Sequence, residues 1–287
     1  MPGGTFNERF TYHGNTCMAG FDHTISTFYM AKYETVYQLW YEVRQWGAGN
    51  GYTFINVGQE GSYNASIGAT PTSSKHQPVT YISWRDMIVW CNAYSQKSGL
   101  TPVYYSDAAY ATPIKSSAGT AYTDATAGSC DNPYVNWDAD GFRLPTLGEW
   151  QYAARYIDGN TWTPLTNAAG AIDNYLNESA TGLVAWFSAN SGGKSQDVGT
   201  RQPTALGIYD MSGNMAEWLW DWQTSNWPAG PVTDYRGPAI NGQSGRFYFG
   251  GDYFYGARDT IVSNDDTNFV YPYGTFANMG FRVVRKY

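Results

Sequence analysis

Three cysteines and three histidines make up the chain's stock of thiol and imidazole groups, and their spacing limits the chemistry open to them. Cys17, Cys91 and Cys130 form no CxxC pair and stand beside no histidine cluster, so a tetrahedral zinc site is not expected. His13, His23 and His76 are too scattered to form the facial triad that holds a non-haem iron. Cys91 falls on the apolar face of a predicted helix and reads as a buried free thiol. Cys17 and Cys130 lie in loop-like surroundings and could pair or stay free. Carboxylates are plentiful near the C-terminus, and Asp265 with Asp266 could in principle share acid–base work. Adjacent residues on a strand point to opposite faces, however, and in a loop they are solvated, so hydrolysis is not favoured.

The elements that must position these groups are legible in part. Glu34 to Trp46 places Val36, Trp40 and Val43 at helical spacing. Ser83 is a good N-cap with Asp86 three residues on. It leads into Met87, Trp90, Cys91 and Tyr94, an apolar stripe that Gly99 should end. Thr146-Leu147-Gly148-Glu149 has the pattern of a capping box before Trp150, Ala153, Ala154 and Arg155. Short strand-like pieces occur at Thr27 to Met30, Phe247 to Phe249 and Gly280 to Arg285, among Gly-, Ser- and Asn-rich loops. The order of helices and strands reads as α+β. No linker, repeat or charge block divides the chain, and residues 1–287 read as one domain.

Aromatic residues reach 17%, with 25 Tyr and 12 Trp, whereas charged residues are only 14%. Tyr, Asn, Ser, Thr and Gly must therefore cover much of the surface, the mixture that antibody-like binding sites favour. The net charge is −7 with no basic stripe, which argues against nucleic acid as a partner. No run of about 18 apolar residues could cross a bilayer as a helix. The start of the sequence has no positive and apolar leader, so a membrane link is expected only through a lipid anchor outside this chain.

Several motifs occur together in one order. Phe142-Arg143-Leu144-Pro145-Thr146 running into Glu149-Trp150 and Ala153-Ala154-Arg155 resembles the signature helix of formylglycine-generating-enzyme (sulfatase-modifying factor) type domains. Gly207-Ile208-Tyr209-Asp210-Met211-Ser212-Gly213-Asn214-Met215-Ala216-Glu217-Trp218 does so too, as do Pro78-Val79, Ser83-Trp84, Gly250-Gly251 and Gly280-Phe281-Arg282. The resemblance runs from about residue 2 to residue 285 and implies an elaborated C-type lectin fold. Enzymes of that family use two cysteines between the Gly-Gly and Gly-Phe-Arg motifs. The matching positions here fall near Thr260 and Asp265, and residues 252–278 hold no cysteine. A hydroxyl and a carboxylate cannot supply those thiolates. An enzyme of this family with altered chemistry is the alternative reading. The family also implies a structural calcium, with Glu217 as a candidate ligand beside Ser212, Gly213 and Met215; no cofactor is otherwise required.

Residues 252–278 also lack Lys, Glu, Gln, Met and Trp altogether. At their whole-chain frequency, 42 of 287, about four would be expected among these 27 positions. Substituting the two adenines of an Asn codon yields fifteen amino acids, and these five are never among them. This resembles the targets of diversity-generating retroelements, which commonly encode proteins of this fold, including the treponemal variable proteins, which are surface lipoproteins. The resemblance implies a surface binding protein rather than an enzyme, extracellular or on an outer membrane, whose exchangeable segment meets varied ligands, with proteins expected. The candidate contact residues are Asp252, Tyr253, Phe254, Tyr255, Asp259, Thr260, Ser263, Asn264, Asp265, Asp266, Asn268, Tyr271, Tyr273 and Asn278. The tyrosines would anchor and the Asp and Asn side chains would adapt. Each tyrosine could instead pack into the scaffold, and Ile261 and Val262 read as core.

Overall fold

The computed structural model describes the chain apart from residues 10, 13–14, 17–19, 64, 73–75, 121, 241–244 and 264–269. Cys17, and with it any pairing to Cys130, lies outside the described residues.

Helix α1 spans Tyr37–Ala48 and buries Tyr37, Trp40, Val43 and Gly47 along one stripe. It starts three residues later than the apolar spacing suggests, because the residues before it are held by tertiary contacts. The Glu34 carboxylate accepts from Asn214 Nδ2 and the Met215 amide, and Thr35 N donates to Phe281 O. Helix α2, Trp84–Lys97, and helix α3, Leu147–Arg155, begin at the caps that the sequence marks. Ser83 with Asp86 and Thr146 with Glu149 each form a reciprocal capping box. Leu100 N closes the end of α2 on Ser95 O, with Gly99 at φ +72°. A fourth helix, α4 (Glu178–Val184), was not predicted; it is capped by Asn177 and is only 7 residues long.

The central strand, Ala216–Trp222, pairs antiparallel with Arg246–Phe249 and parallel with Met279–Gly280. The closing stretch that reads as one strand is two, since Val284–Lys286 belongs to another pair, antiparallel to Phe28–Met30. Between them Phe281 and Arg282 are both fully buried, which turns the chain inward. An N-terminal hairpin, Gly4–Glu8 with Phe21–Ile25, was also missed. Its inward positions include Glu8 and His23, a buried hydrogen-bonded pair at 2.5 Å, so the apolar alternation is broken.

The core is built largely from aromatics. Trp40 and Trp90 stack at 5.6 Å, and Phe281 meets both edge-on. A second cluster joins Leu147 and Trp150 of α3 to Leu219, Phe247, Phe249 and Val262. Truncating one such ring to Ala typically costs about 3–5 kcal/mol. This packing, rather than helix propensity, is what fixes the strands on either side of residues 252–278.

Candidate binding surface

The motif that closes the segment is tied to Glu217 of the central strand by one buried ion pair. Arg282 Nε lies 2.8 Å from each Glu217 oxygen, and its Nη2 lies 2.5 Å from Oε1. Trp150 Nε1 donates to Glu217 Oε2 at 2.8 Å. The guanidinium also reaches the carbonyls of Ala31, Tyr209 and Asp210. The entry to the segment is fixed by glycine. Gly251 sits at φ +65°, and a Cβ there would lie 2.4 Å from Asp259 O.

From this frame the segment follows a pinned course. Asp252 Oδ1 accepts from the amides of Phe254 (2.7 Å) and Tyr255 (3.2 Å), and Oδ2 accepts from Asn278 Nδ2 (2.6 Å). This clasp joins the first and last candidate residues and turns the chain between them. Phe254 and Tyr255 then project into solvent, 63% and 52% exposed. Burial pushes the Asp252 carboxyl up to about 6, against the pull of its three donors. A 3-10 turn at Ala257–Thr260 follows, then Ile261 and Val262, both fully buried as the sequence suggests. Beyond residues 264–269 the chain returns at Val270, whose carbonyl accepts from Arg246 N, and Tyr271 stacks on Tyr273 at 5.8 Å.

The structure divides the candidate contact residues. Phe254, Tyr255 and Tyr273 are exposed, and Asp259, Tyr271 and Asn278 are half-buried. Four expectations of solvent-facing side chains are corrected. Asp252 is buried as the clasp, and Tyr253 is packed into the scaffold with its main chain bonded to Asn214 and Ser191. Thr260 donates to Ala257 O, and Ser263 donates to Leu165 O. In each case the side chain or backbone meets a hydrogen-bonding need within the loop or in the scaffold beside it. Asn264, Asp265, Asp266 and Asn268 lie outside the described residues. Exposed Phe276 and Arg258 join the surface, as does Tyr122 from a distant loop, whose ring meets Tyr271 edge-on at 6.1 Å. No spacing in the sequence could have placed Tyr122 there.

Glu217, the candidate calcium ligand, is held in an ion pair. Both oxygens are engaged by Arg282 and Trp150, and a guanidinium in contact is already the counter-cation. A metal ion at this carboxylate would meet like charge. Among the described residues no group of three His, Cys, Asp or Glu side chains could hold a metal. Burial pushes the Cys91 and Cys130 thiols up, opposite to what a reactive thiolate requires. His23 Nδ1 is bonded to Glu8, and its Nε2 accepts from Tyr235 N.

Known proteins share this architecture. The family model of the sulfatase-modifying factor enzyme 1-like domain matches residues 1–287. A chaperone protein LppX of Paenibacillus barcinonensis is 28% identical over 228 residues, 74% of this chain and 68% of that protein. A formylglycine-generating enzyme of Streptomyces coelicolor is 28% identical over 177 residues, 56% of this chain and 49% of the enzyme. Among solved structures, Treponema denticola variable protein 1 superposes with a TM-score of 0.71 at 26% identity, covering 100% of this chain and 95% of that one. CarF superposes at 0.69 with 23% identity over 100% and 96%, a likeness of fold alone. The fold is thus α+β, the C-type lectin fold of the formylglycine-generating type, and its likeness to a variable protein spans the full length. The chain belongs to the sulfatase-modifying factor enzyme 1-like family.

Proposed function

We propose that this protein is a ligand-binding surface protein, not an enzyme, and that residues 252–278 form an exchangeable binding segment written by adenine-directed mutagenesis. The carrying observation is the division of labour along the segment. Buried residues and backbone bonds hold its course, while Phe254, Tyr255, Tyr273 and Phe276 face outward without taking part in the core. Large exposed rings on a pinned backbone are what a protein ligand can use as anchors at low entropic cost. The absence of Lys, Glu, Gln, Met and Trp from the segment supports diversification, and the full-length likeness to a treponemal variable protein supports the role. An extracellular place, with membrane attachment through a lipid on a segment outside this sequence, fits the same reading.

The test is genomic and then biochemical. The neighbouring DNA should encode a reverse transcriptase and hold a second copy of this segment rich in Asn codons. Sister genes should differ at Phe254, Tyr255 and Tyr273 while keeping Gly251, Glu217 and Arg282. Substitutions spread evenly along the sister chains would refute the reading.

A further inference from the structure

A groove of about 350 Å³ lies apart from residues 252–278, none of which lines it. Its volume falls inside the range of about 300–1,000 Å³ common to small-molecule sites. The lining comes from the strand pair of Phe28–Met30 with Val284–Lys286, and from Val36 and Leu39 at the start of α1. It is completed by Tyr94 near the end of α2, on which the Phe142 ring stacks at 4.0 Å. Val36, Leu39, Tyr94 and Phe142 are all half-buried, and the surface they present is mostly carbon.

The charged groups of the groove are unevenly engaged. Glu34 is the one carboxylate in the lining, and its oxygens already accept from Asn214 Nδ2 and the Met215 amide. The cations are Lys32 and Arg285, and among the described residues neither meets a carboxylate within 4 Å. Lys32 Nζ rests 5.4 Å from the Tyr33 ring centroid and 5.2 Å from that of Tyr209. The Arg285 guanidinium rests 5.0 Å from the Tyr29 ring centroid, and none of its N–H groups donates to a described residue. Asp140 lies beyond ion-pair distance and accepts instead from Thr101 N. Burial pushes the Tyr94 phenol up and the Arg285 charge pulls it back, which sets the guanidinium near that hydroxyl. Two cations thus border an apolar groove without counter-ions, although acids outnumber bases in the chain by 24 to 17.

We propose that this groove binds an aliphatic monocarboxylate, with its carboxylate at Arg285 and its chain over Leu39 and Phe142. A carboxylate can take two parallel N–H bonds from one guanidinium, and these charge-assisted bonds are about twice as strong as neutral ones. An ammonium head would meet two like charges, and an alcohol would leave both cations without a counter-ion. The alkyl chain displaces water from the half-buried walls. A peptide ending in a carboxylate fits less well, because both outer edges of the strand pair are taken. Phe28 exchanges bonds with Met1 on one side, and Val284 with Arg143 on the other. A peptide backbone would find no strand there to extend.

The probe is sodium octanoate, titrated against the intact ¹⁵N-labelled protein, with 1-octanol, octylammonium and acetate as comparisons. Octanoate should shift the amides of Lys32, Leu39, Tyr94 and Arg285 saturably. Octanol should bind more weakly, and octylammonium and acetate should not saturate. Arg285→Met should lower the octanoate affinity about five- to tenfold and leave the octanol affinity unchanged. The same variant should keep the urea midpoint of the native chain, since the guanidinium bonds to no described residue. Leu39→Ser should weaken octanoate and octanol alike. No saturable shift with octanoate, equal binding of octylammonium, or unchanged octanoate affinity in Arg285→Met would overturn the site. Tighter binding of N-acetyl-glycyl-leucine than of octanoate would overturn the aliphatic assignment. None of these outcomes bears on the variable segment, whose genomic test stands by itself.

Discussion

Replacing Arg282 by Met removes a charge while keeping much of the side chain's volume, so it isolates what the ion pair with Glu217 does for the fold. In the native protein three short contacts join guanidinium to carboxylate, and both side chains are almost wholly excluded from water. After the substitution Glu217 keeps only the Trp150 donor. It also remains near Glu34 and Asp210; burial, with those neighbouring acids, already holds the Glu34 carboxyl well above the ordinary range. Breaking a buried pair from one side costs about 3–5 kcal/mol. The carbonyls of Ala31, Tyr209 and Asp210 lose a donor as well, which places the loss at the upper end of that range. Against a total stability of about 5–15 kcal/mol this is a large fraction. Equilibrium urea unfolding followed by tryptophan fluorescence measures it through the midpoint at constant slope. Adding Glu217→Gln to Arg282→Met should restore about 2 kcal/mol, because no uncompensated charge is left. The reasoning fails if the single variant loses less than about 1 kcal/mol, or if the double variant is no more stable than the single.

Stability should rise on acidification from about pH 8 to about pH 5. Asp221 is pushed by burial to about 8, and Asp210 and Asp252 to about 6, from an unfolded value of 3.8. The folded state therefore holds these protons more tightly, and its advantage grows as pH falls through each folded pKa. Asp221 alone contributes about 2 kcal/mol between pH 8 and 6; a urea midpoint that falls over this range would contradict the assignment. Within the segment, Phe254→Ala and Tyr255→Ala should change stability by less than about 0.5 kcal/mol. Ile261→Ala should cost about 2–5 kcal/mol by the same assay. Equal losses at all three positions would show that the exposed rings belong to the core.

Much of this was readable from local signals and some was not. The starts of α2 and α3 were legible because a capping box is complete within four residues. The start of α1 was not, since Glu34 answers to Asn214 and Met215 far along the chain. The N-terminal hairpin stayed hidden because Glu8 and His23 satisfy each other inside it. The bounds of the proposed segment could be drawn from its flanking glycines and its missing residue types. Which of its side chains face outward could not. Asp252, Thr260 and Ser263 look like surface residues by type, yet each bonds to backbone within the loop or beside it. Tyr253 and Tyr255 are identical in kind and opposite in exposure, because the Asp252 turn lies between the scaffold and the tip.

Under the proposed diversification, the clasp between Asp252 and Asn278 also sets the size of the repertoire. Each position open to an adenine-mutated Asn codon can take fifteen identities, so every position withdrawn divides the number of attainable surfaces by fifteen. The two clasp residues are not independent letters either. A donor must face an acceptor across the 2.6 Å contact, so a change at one end restricts what the other end can become. Diversity at this surface is then a matter of grammar as well as alphabet, with the ends of the segment holding a fixed agreement and the outward rings free to vary.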